Sequence, residues 1–562
     1  MNTKLCILLI SLSCISLLQA QNLPRELLVE DARQMAGIIE SCHPDPYLYT
    51  GGKIGFHEIF YQMLNDIPDE GMNVNDFWWT LSGFLANIKD GHTYLYPLKQ
   101  PDSHMPGGIP MRFTVTSDSL LIVNKVYRED HKEYLGQVVE SINNHTVDEL
   151  LRRISSLYPT ENYFDRFRNL MVYLWYADYL ERLMPEWSHG SPVVIAFADK
   201  GLPEISVSTD PGPDNMPSFS FESGVILPAT QKCDFVFEIL DGNIGYLRID
   251  KQDEFREYAE ILVDGLKDIQ DPGVLSNYRQ QYIFYARKWH ERYFGVPGPD
   301  SLELIVQQLP SFTEFMEEVT AELKKHKIND LIIDLREDEG GISLMSDILI
   351  YFLYGKGKLG ELHNDTYEIT YLSPMAIKTA TSLNPSEINK SRGEKQEIPL
   401  QAGDYDFYTK ELWENRFNAY ETQIADPDDF KNTATFYKEY TSGKNEAAYT
   451  PRNVYVLGGY KTFSAGFETL VRLKKCGATF VGVPSAQSGN CFGMGIQPVS
   501  GLKNTRINLQ VSVRKIYMIP DDEESGIQLS PDIPLDYRTL KKYNCDRNST
   551  VSLAIEAIKG KY

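Results

Sequence analysis

The stretch VYVLGGYKTFSAGFETLVRLKK, residues 454–475, decides how this chain is read. Val454 to Gly458 is a short apolar run of the kind found in a strand buried on both faces. A helical segment follows from Glu468 to Lys475, and Thr462, Phe463, Ser464, Ala465 and Gly466 lie between the two. A strand that hands over to a helix aims the intervening side chain away from the sheet and sets unpaired helix N–H groups beside it. Those donors can hold a developing oxyanion, so Ser464 is a candidate nucleophile with the Ala465 N–H next to it. Ser464 could equally cap the helix, the commonest task of a serine at that position.

Upstream, LIIDLREDEGG at 331–341 is a second handover from buried strand to helix, the helix running from Leu344 to Tyr354. Its paired glycines let the backbone approach a ligand closely, so Gly340 or Gly341 could lend an N–H to the same oxyanion; a plain turn is the alternative. Strands on either side of Asp241 and Gly242, an amphipathic helix from Phe312 to Lys325 and a strand from Thr479 to Val483 complete an alternation that implies an α/β core from about residue 235. Two segments interrupt it. Residues 254–311 open with a helical, Tyr-rich run, and residues 360–450 are polar and turn-rich without strong periodicity.

Towards the N-terminus, residues 24–90 read as helices: Leu28, Ala32, Met35, Ala36 and Ile39 share one face. His43-Pro44-Asp45-Pro46 breaks this pattern, because proline removes donors and restricts its neighbour. Met111, Phe113 and Val115 alternate with polar residues, and a turn at Ser117 to Ser119 leads to Leu121, Val123 and Val126, the pattern of a hairpin. Residues 160–184 read as helix and 190–210 as a strand pair. Asp90-Gly91-His92-Thr93 puts an imidazole on a loop, where it is either a surface residue or a general base working near neutral pH. The acidic run Asp521 to Glu524 is either a solvated turn or the source of a carboxylate that orients His92.

Bulk properties narrow the function classes. A chain of 562 residues is long enough for two to four domains. A net charge of −23 argues against nucleic acid and anionic lipid surfaces, which require a basic face. Residues 1–20 have a lysine, an apolar run from Leu5 to Leu18 and a small residue at Ala20, the pattern of a secretory signal peptide cleaved near Ala20. Lipoprotein anchoring through Cys14 is the lesser alternative. No other segment is apolar enough to span a membrane. Of seven cysteines, Cys6 and Cys14 fall in the leader, which leaves Cys42, Cys233, Cys476, Cys491 and Cys545 without any CxxC. That is neither a disulfide scaffold nor a zinc pattern, and the histidines show no metal-ligand spacing.

The segments IKDGHTYL (88–95), LIIDLREDEGG (331–341), YKTFSAGFETL (460–470), GVPSAQSGNCFG (482–493) and GIQLSPDIPL (526–535), with SCHPDPY at 41–47, come in an order that resembles the tail-specific (C-terminal processing) serine peptidases. The resemblance implies a crotonase-like (ClpP/crotonase) α/β core of repeated β-β-α units, an N-terminal helical domain and, in GQVVESINNHTVDEL (136–150), the end of a small β-rich PDZ-like module. One design in this family pairs the serine with a lysine about 25 residues later. Here Ser488 stands about where that lysine would be. The chain is more similar to the histidine-using branch typified by the tricorn core protease, which implies Ser464, His92 and Glu523 as catalytic residues, with Glu524 the alternative to Glu523. Gly91 stands where that branch has a further serine, and Thr93 is a candidate substitute. The glutamate that usually follows the nucleophile motif comes one place late, at Glu468.

The expected organisation is a signal peptide at 1–20, a helical domain at 21–103, a PDZ-like module with helices at 104–210, a catalytic α/β core at 235–540 with inserts at 254–311 and 360–450, and a C-terminal helix at 541–562. The expected function is that of a periplasmic or secreted serine endopeptidase acting on proteins or peptides, with no cofactor, no metal and no nucleic acid. Its oxyanion donors would be Ala465 and Gly340 or Gly341. A non-catalytic peptide-, lipid- or glycan-binding protein on the same fold is the alternative, and the 34 tyrosines would suit it. An acyl-CoA enzyme is disfavoured by the leader and the acidic surface.

Overall fold

The structure, a computed structural model, describes residues 22–98, 107–209, 217–228, 234–266, 272–364, 367–379, 383–392, 398–407, 435–442, 446–519 and 528–560. Helices α1 (Arg25–Cys42), α2 (Gly52–Asn65) and α3 (Val74–Leu85) open the chain and lead to a short strand, β1 (Tyr94–Leu95). The face of α1 that carries Leu28, Ala32, Met35, Ala36 and Ile39 is buried, as its spacing requires. A hairpin of β2 (Met111–Val115) and β3 (Leu121–Val126) follows. Next come β4 (Val139–Ile142), β5 (His145–Thr146), α4 (Val147–Leu157), α5 (Tyr163–Trp175), α6 (Ala177–Leu183), β6 (Val193–Phe197) and β7 (Ile205–Val207); the four strands form a sheet in the order β5-β4-β6-β7. The Asn162 side chain caps α5 by accepting from the N–H groups of Phe164 and Asp165, which fixes the chain immediately before the helix.

The central sheet begins with β8 (Phe235–Leu240) and β9 (Ile244–Ile249). Helices α7 (Arg256–Gly265), α8 (Pro272–Phe294) and α9 (Leu302–Gln308) surround a small apolar cluster of their own that includes Ala286, Tyr293 and Ile305. Helix α10 (Phe312–His326) then returns the chain to β10 (Asp330–Asp334). Beyond it lie α11 (Leu344–Asn364), β11 (Tyr367–Tyr371), α12 (Pro374–Thr379), α13 (Pro385–Arg392), β12 (Tyr405–Phe407), α14 (Thr435–Thr441) and β13 (Asn453–Gly458). The last elements are α15 (Ala465–Lys475), β14 (Thr479–Gly482), β15 (Asn490–Ile496), β16 (Leu509–Tyr517), β17 (Ile533–Pro534), α16 (Tyr537–Lys542) and α17 (Ser549–Ile558).

Strand order in this sheet is β17-β14-β13-β10-β9-β8, parallel throughout except for β8. Both faces are covered, which is why the strands read as unbroken apolar runs. Ile332 joins the cluster shared with α1–α3 and the 107–210 segment, while Leu331 and Ile333 join the cluster under α10, α11 and α15. The loops after β9, β10, β13 and β14 therefore emerge at one edge, the carboxyl ends of parallel strands, where open α/β sheets bind ligands.

A second, antiparallel sheet runs β1-β16-β11-β12, with β15 also paired to β16. Part of the polar 360–450 segment therefore supplies strands. Helix α15 starts at Ala465, ahead of the expected Glu468, so Ser464 itself occupies the N-cap position. Helix α11 runs past the expected Tyr354, through a break at Gly355 where φ is 81°. Cys42, Cys476, Cys491 and Cys545 are free thiols, and Cys233 lies outside the described residues. No helix among the described residues is long and apolar enough to cross a membrane.

Candidate active site

Ser464 has φ 53° and ψ −127°, a left-handed conformation that costs an L-residue about 1–3 kcal/mol. It persists because the turn around it is held at many points. The Thr462 hydroxyl donates to the Leu335 carbonyl (2.8 Å) and accepts from the Gly459 N–H (3.0 Å). The Phe463 N–H donates to the Asp338 carbonyl (3.0 Å), and the Ser464 N–H donates to Gln487 Oε1. Gly466 must be bare, because a Cβ there would sit 2.5 Å from the Asp338 carbonyl oxygen. The Ser464 hydroxyl makes no capping hydrogen bond. It faces His92, whose Nε2 lies 3.2 Å from Ser464 Oγ.

His92 is placed by its own short loop. Asp90 is fully buried; Oδ1 accepts the His92 N–H (2.9 Å), and Oδ2 contacts His43 Nε2 (3.3 Å) and accepts the Thr93 hydroxyl (2.5 Å). Thr93 Oγ1 also accepts from the Ser512 N–H, and Gln510 Nε2 donates to the His92 carbonyl, so β16 holds the loop from below. The Thr93 hydroxyl is thus committed to Asp90 and β16. The imidazole stacks on the Phe463 ring (centroids 5.1 Å apart, 26° between planes), and the Arg168 guanidinium lies 4.2 Å from the centre of that ring.

Nδ1 of His92 faces two carboxylates, Glu161 Oε1 at 3.6 Å and Asp90 Oδ1 at 4.0 Å. Burial pushes the imidazole pKa down, but the contact and charge of Glu161 and the charge of Asp90 outweigh burial and the opposing Arg168, so the net shift is upward. Glu161 itself is shifted up, first by burial and also by the charges of Asp90 and Asp165, against the pull of His92. Glu161 is a residue that sequence reasoning passed over. It sits in YPTENYFD just before the α5 cap, where an acid reads as ordinary helix-start chemistry. His43 of the SCHPDPY motif is the buried partner of Asp90.

The other expected site residues divide. Ala465 is the first residue of α15, so its N–H has no intrahelical acceptor. A Cβ on Gly340 would lie 2.6 Å from Ser464 Cβ and 2.9 Å from the Ala465 nitrogen, so this glycine abuts the nucleophile. The Gly340 N–H is held by Asp338 Oδ1 (2.9 Å), while Gly341 pairs with Gln252 in a parallel bridge. Burial raises the Asp338 carboxyl to about 7 despite its hydrogen bonds from Gln252 and Gly340. Ser488 is buried and donates its N–H to Glu161 Oε2 (3.0 Å). Glu468 ties the two handover loops together: it accepts from Ser343 and pairs with Arg472. Glu523 and Glu524 lie outside the described residues.

Asp90, His92 and Glu161 are metal-ligand types with ligand atoms within 4.8 Å of one another. Both Asp90 oxygens, Glu161 Oε2 and His92 Nε2 already have contacts within the protein. A second acidic trio, Asp234, Asp253 and Glu254, is met by Arg292 and Lys251.

Residues 305–535 match the model of peptidase family S41. No curated protein sequence matches the chain. Among solved structures, a crystal structure of a CPAF mutant is similar at 12% identity and a TM-score of 0.50, covering 94% of this chain and 98% of that one. The photosystem II D1 C-terminal processing protease aligns over 93% of this chain and 96% of its own at 14% identity and a TM-score of 0.37.

Proposed function

Because the chain carries a peptidase family S41 domain and is a serine-type peptidase, we propose that it is an exported endopeptidase in which Ser464 attacks the scissile carbonyl and His92 is the general base. The single observation that carries this reading is the 3.2 Å approach of His92 Nε2 to the hydroxyl of a serine in a strained turn at a strand–helix junction. His92 Nε2 takes the Ser464 proton as Oγ bonds to the substrate carbonyl carbon. The tetrahedral oxyanion is held by the Ala465 N–H and by an N–H of the Gly340–Gly341 loop, Gly340 exchanging Asp338 for the oxyanion. The protonated imidazole then donates to the leaving amine, and water, deprotonated by the same nitrogen, releases the acyl group.

In this reading the parallel sheet is a crotonase-like core, α1–α3 form an N-terminal helical domain, and the segment 107–210 is a PDZ-like module that receives substrate chains. The apolar leader supports export. The substrate class is protein or peptide, since the family domain and the serine–histidine pair both suit amide hydrolysis. The test is cleavage of an unfolded protein substrate by wild type and by Ser464→Ala. Cleavage should disappear while circular dichroism and the melting temperature are kept, and residual hydrolysis in that variant would reject the nucleophile.

A further inference from the structure

We infer that Glu161 is a carboxylate that positions His92 for proton transfer. This rests on the reading of Ser464 as nucleophile and His92 as base. His92 Nδ1 and Glu161 Oε1 are both buried, both without a hydrogen-bond partner among the described residues, and 3.6 Å apart. Two unsatisfied buried polar atoms of complementary type, a fraction of an ångström beyond bonding distance, form a pair ready to close. Such contacts are often long in free enzymes and tighten once substrate binds.

Glu161 is anchored for this task. Its Oε2 accepts from the Ser488 N–H at 3.0 Å, and its main-chain N–H donates to Asp165 Oδ2 at 2.9 Å, which leaves Oε1 facing the imidazole. Gly91 makes the room: a Cβ there would lie 3.1 Å from Glu161 Oε1 and 2.8 Å from Phe463 Cζ. Asp90, the other carboxylate near Nδ1, is farther away and has both oxygens engaged, so it shapes the loop. Among the described residues, the charged or titratable groups that act on His92 are Glu161, Asp90 and Arg168, and Glu161 interacts with His92, Asp90, Asp165 and Cys491. Because Glu161 lies between α4 and α5, the segment carrying the small β-rich module would complete the catalytic site, and Ser488 would link it to the loop after β14.

The test uses full-length protein and two readouts. In a Ser464→Ala background, the His92 imidazole is titrated by NMR with and without Glu161→Gln. With Ser464 intact, the pH profile of kcat/KM is measured. Glu161→Gln should lower the His92 pKa, shift the acid limb to lower pH and reduce the plateau by about 100-fold. Glu161→Asp should keep the imidazole titration raised and lower kcat with KM unchanged; it is the deciding variant if Glu161→Gln does not fold. An unmoved titration and acid limb in Glu161→Gln, an unchanged kcat in Glu161→Asp, or the same shift produced by Glu523→Gln instead, overturns the inference. Fluorophosphonate labelling of Ser464 in wild type tests the underlying reading separately, since the NMR titration needs no catalysis.

Discussion

His92 Nε2 lies 3.2 Å from Ser464 Oγ although 372 residues separate them in the chain. The approach does not depend on loops meeting by chance. Tyr94 and Leu95, which follow the base after Thr93, pair with Gln510 and Leu509 of β16, and Gln510 also binds the His92 carbonyl. On the other side, the Phe463 ring that precedes the nucleophile stacks on the imidazole. The base is thereby fixed to the same body as the serine.

Strain at the nucleophile is measurable. At φ 53°, glycine avoids a Cβ penalty that alanine retains. Ser464→Gly should be more stable than Ser464→Ala by about 1 kcal/mol in urea denaturation, with cleavage absent from both. A glycine variant less stable than the alanine variant would show that the turn is unstrained.

Gly91→Ala should damage catalysis more than stability. Its methyl group meets the Phe463 ring edge and Glu161 Oε1, so the imidazole must shift. A displacement approaching 1 Å lowers kcat by about 100-fold. The measurement is kcat alongside the melting temperature, and an unchanged kcat would mean that the stack tolerates the methyl.

Gly340→Ala should abolish turnover. The residue has φ 100°, and its added Cβ would press on Ser464 Cβ and the Ala465 nitrogen, where the oxyanion is to be held. Loss of an oxyanion donor costs about 100- to 1000-fold in kcat. Ordinary turnover in a folded Gly340→Ala protein would move the oxyanion site elsewhere.

Acid should weaken the base loop in a defined window. Burial pushes the Asp90 carboxyl up, but the hydrogen bond and charge of His43, the charge of His92 and the Thr93 hydroxyl hold it at about 2, below its ordinary 3.8. A carboxylate lowered in the folded state stabilises it above the unfolded pKa, and that stability is lost as pH falls from about 4 to about 2. The contribution is about 2 kcal/mol. Urea denaturation across this range should show the loss in wild type, and Asp90→Asn should lack that part of it. Parallel profiles would contradict the assignment.

The parts of the fold legible in the sequence were those specified locally. The buried runs VYVLG and LIID, each followed by a glycine-bearing turn and a helix, read directly as strand–helix units, and the structure makes them neighbours in parallel register from Asp330 and Asn453. The second sheet was not legible. LQVSVRKIY alternates, yet of its neighbours only β15 precedes it directly; β1 and β11 come from distant stretches, the latter polar and without clear period. Ser464 and His92 stood out because each occupies a loop with a recognisable motif. Glu161 did not, because nothing around it in sequence separates it from a helix-start acid, and its value comes from meeting Gly91, His92 and Ser488 in space.

The most direct test of the central claim is the rate and position of fluorophosphonate labelling, followed by mass spectrometry in wild type, Ser464→Ala and His92→Ala. A single adduct on Ser464 is predicted, absent from Ser464→Ala and formed about 100-fold more slowly in His92→Ala. An adduct on another residue, or an unchanged rate without the imidazole, would contradict the account.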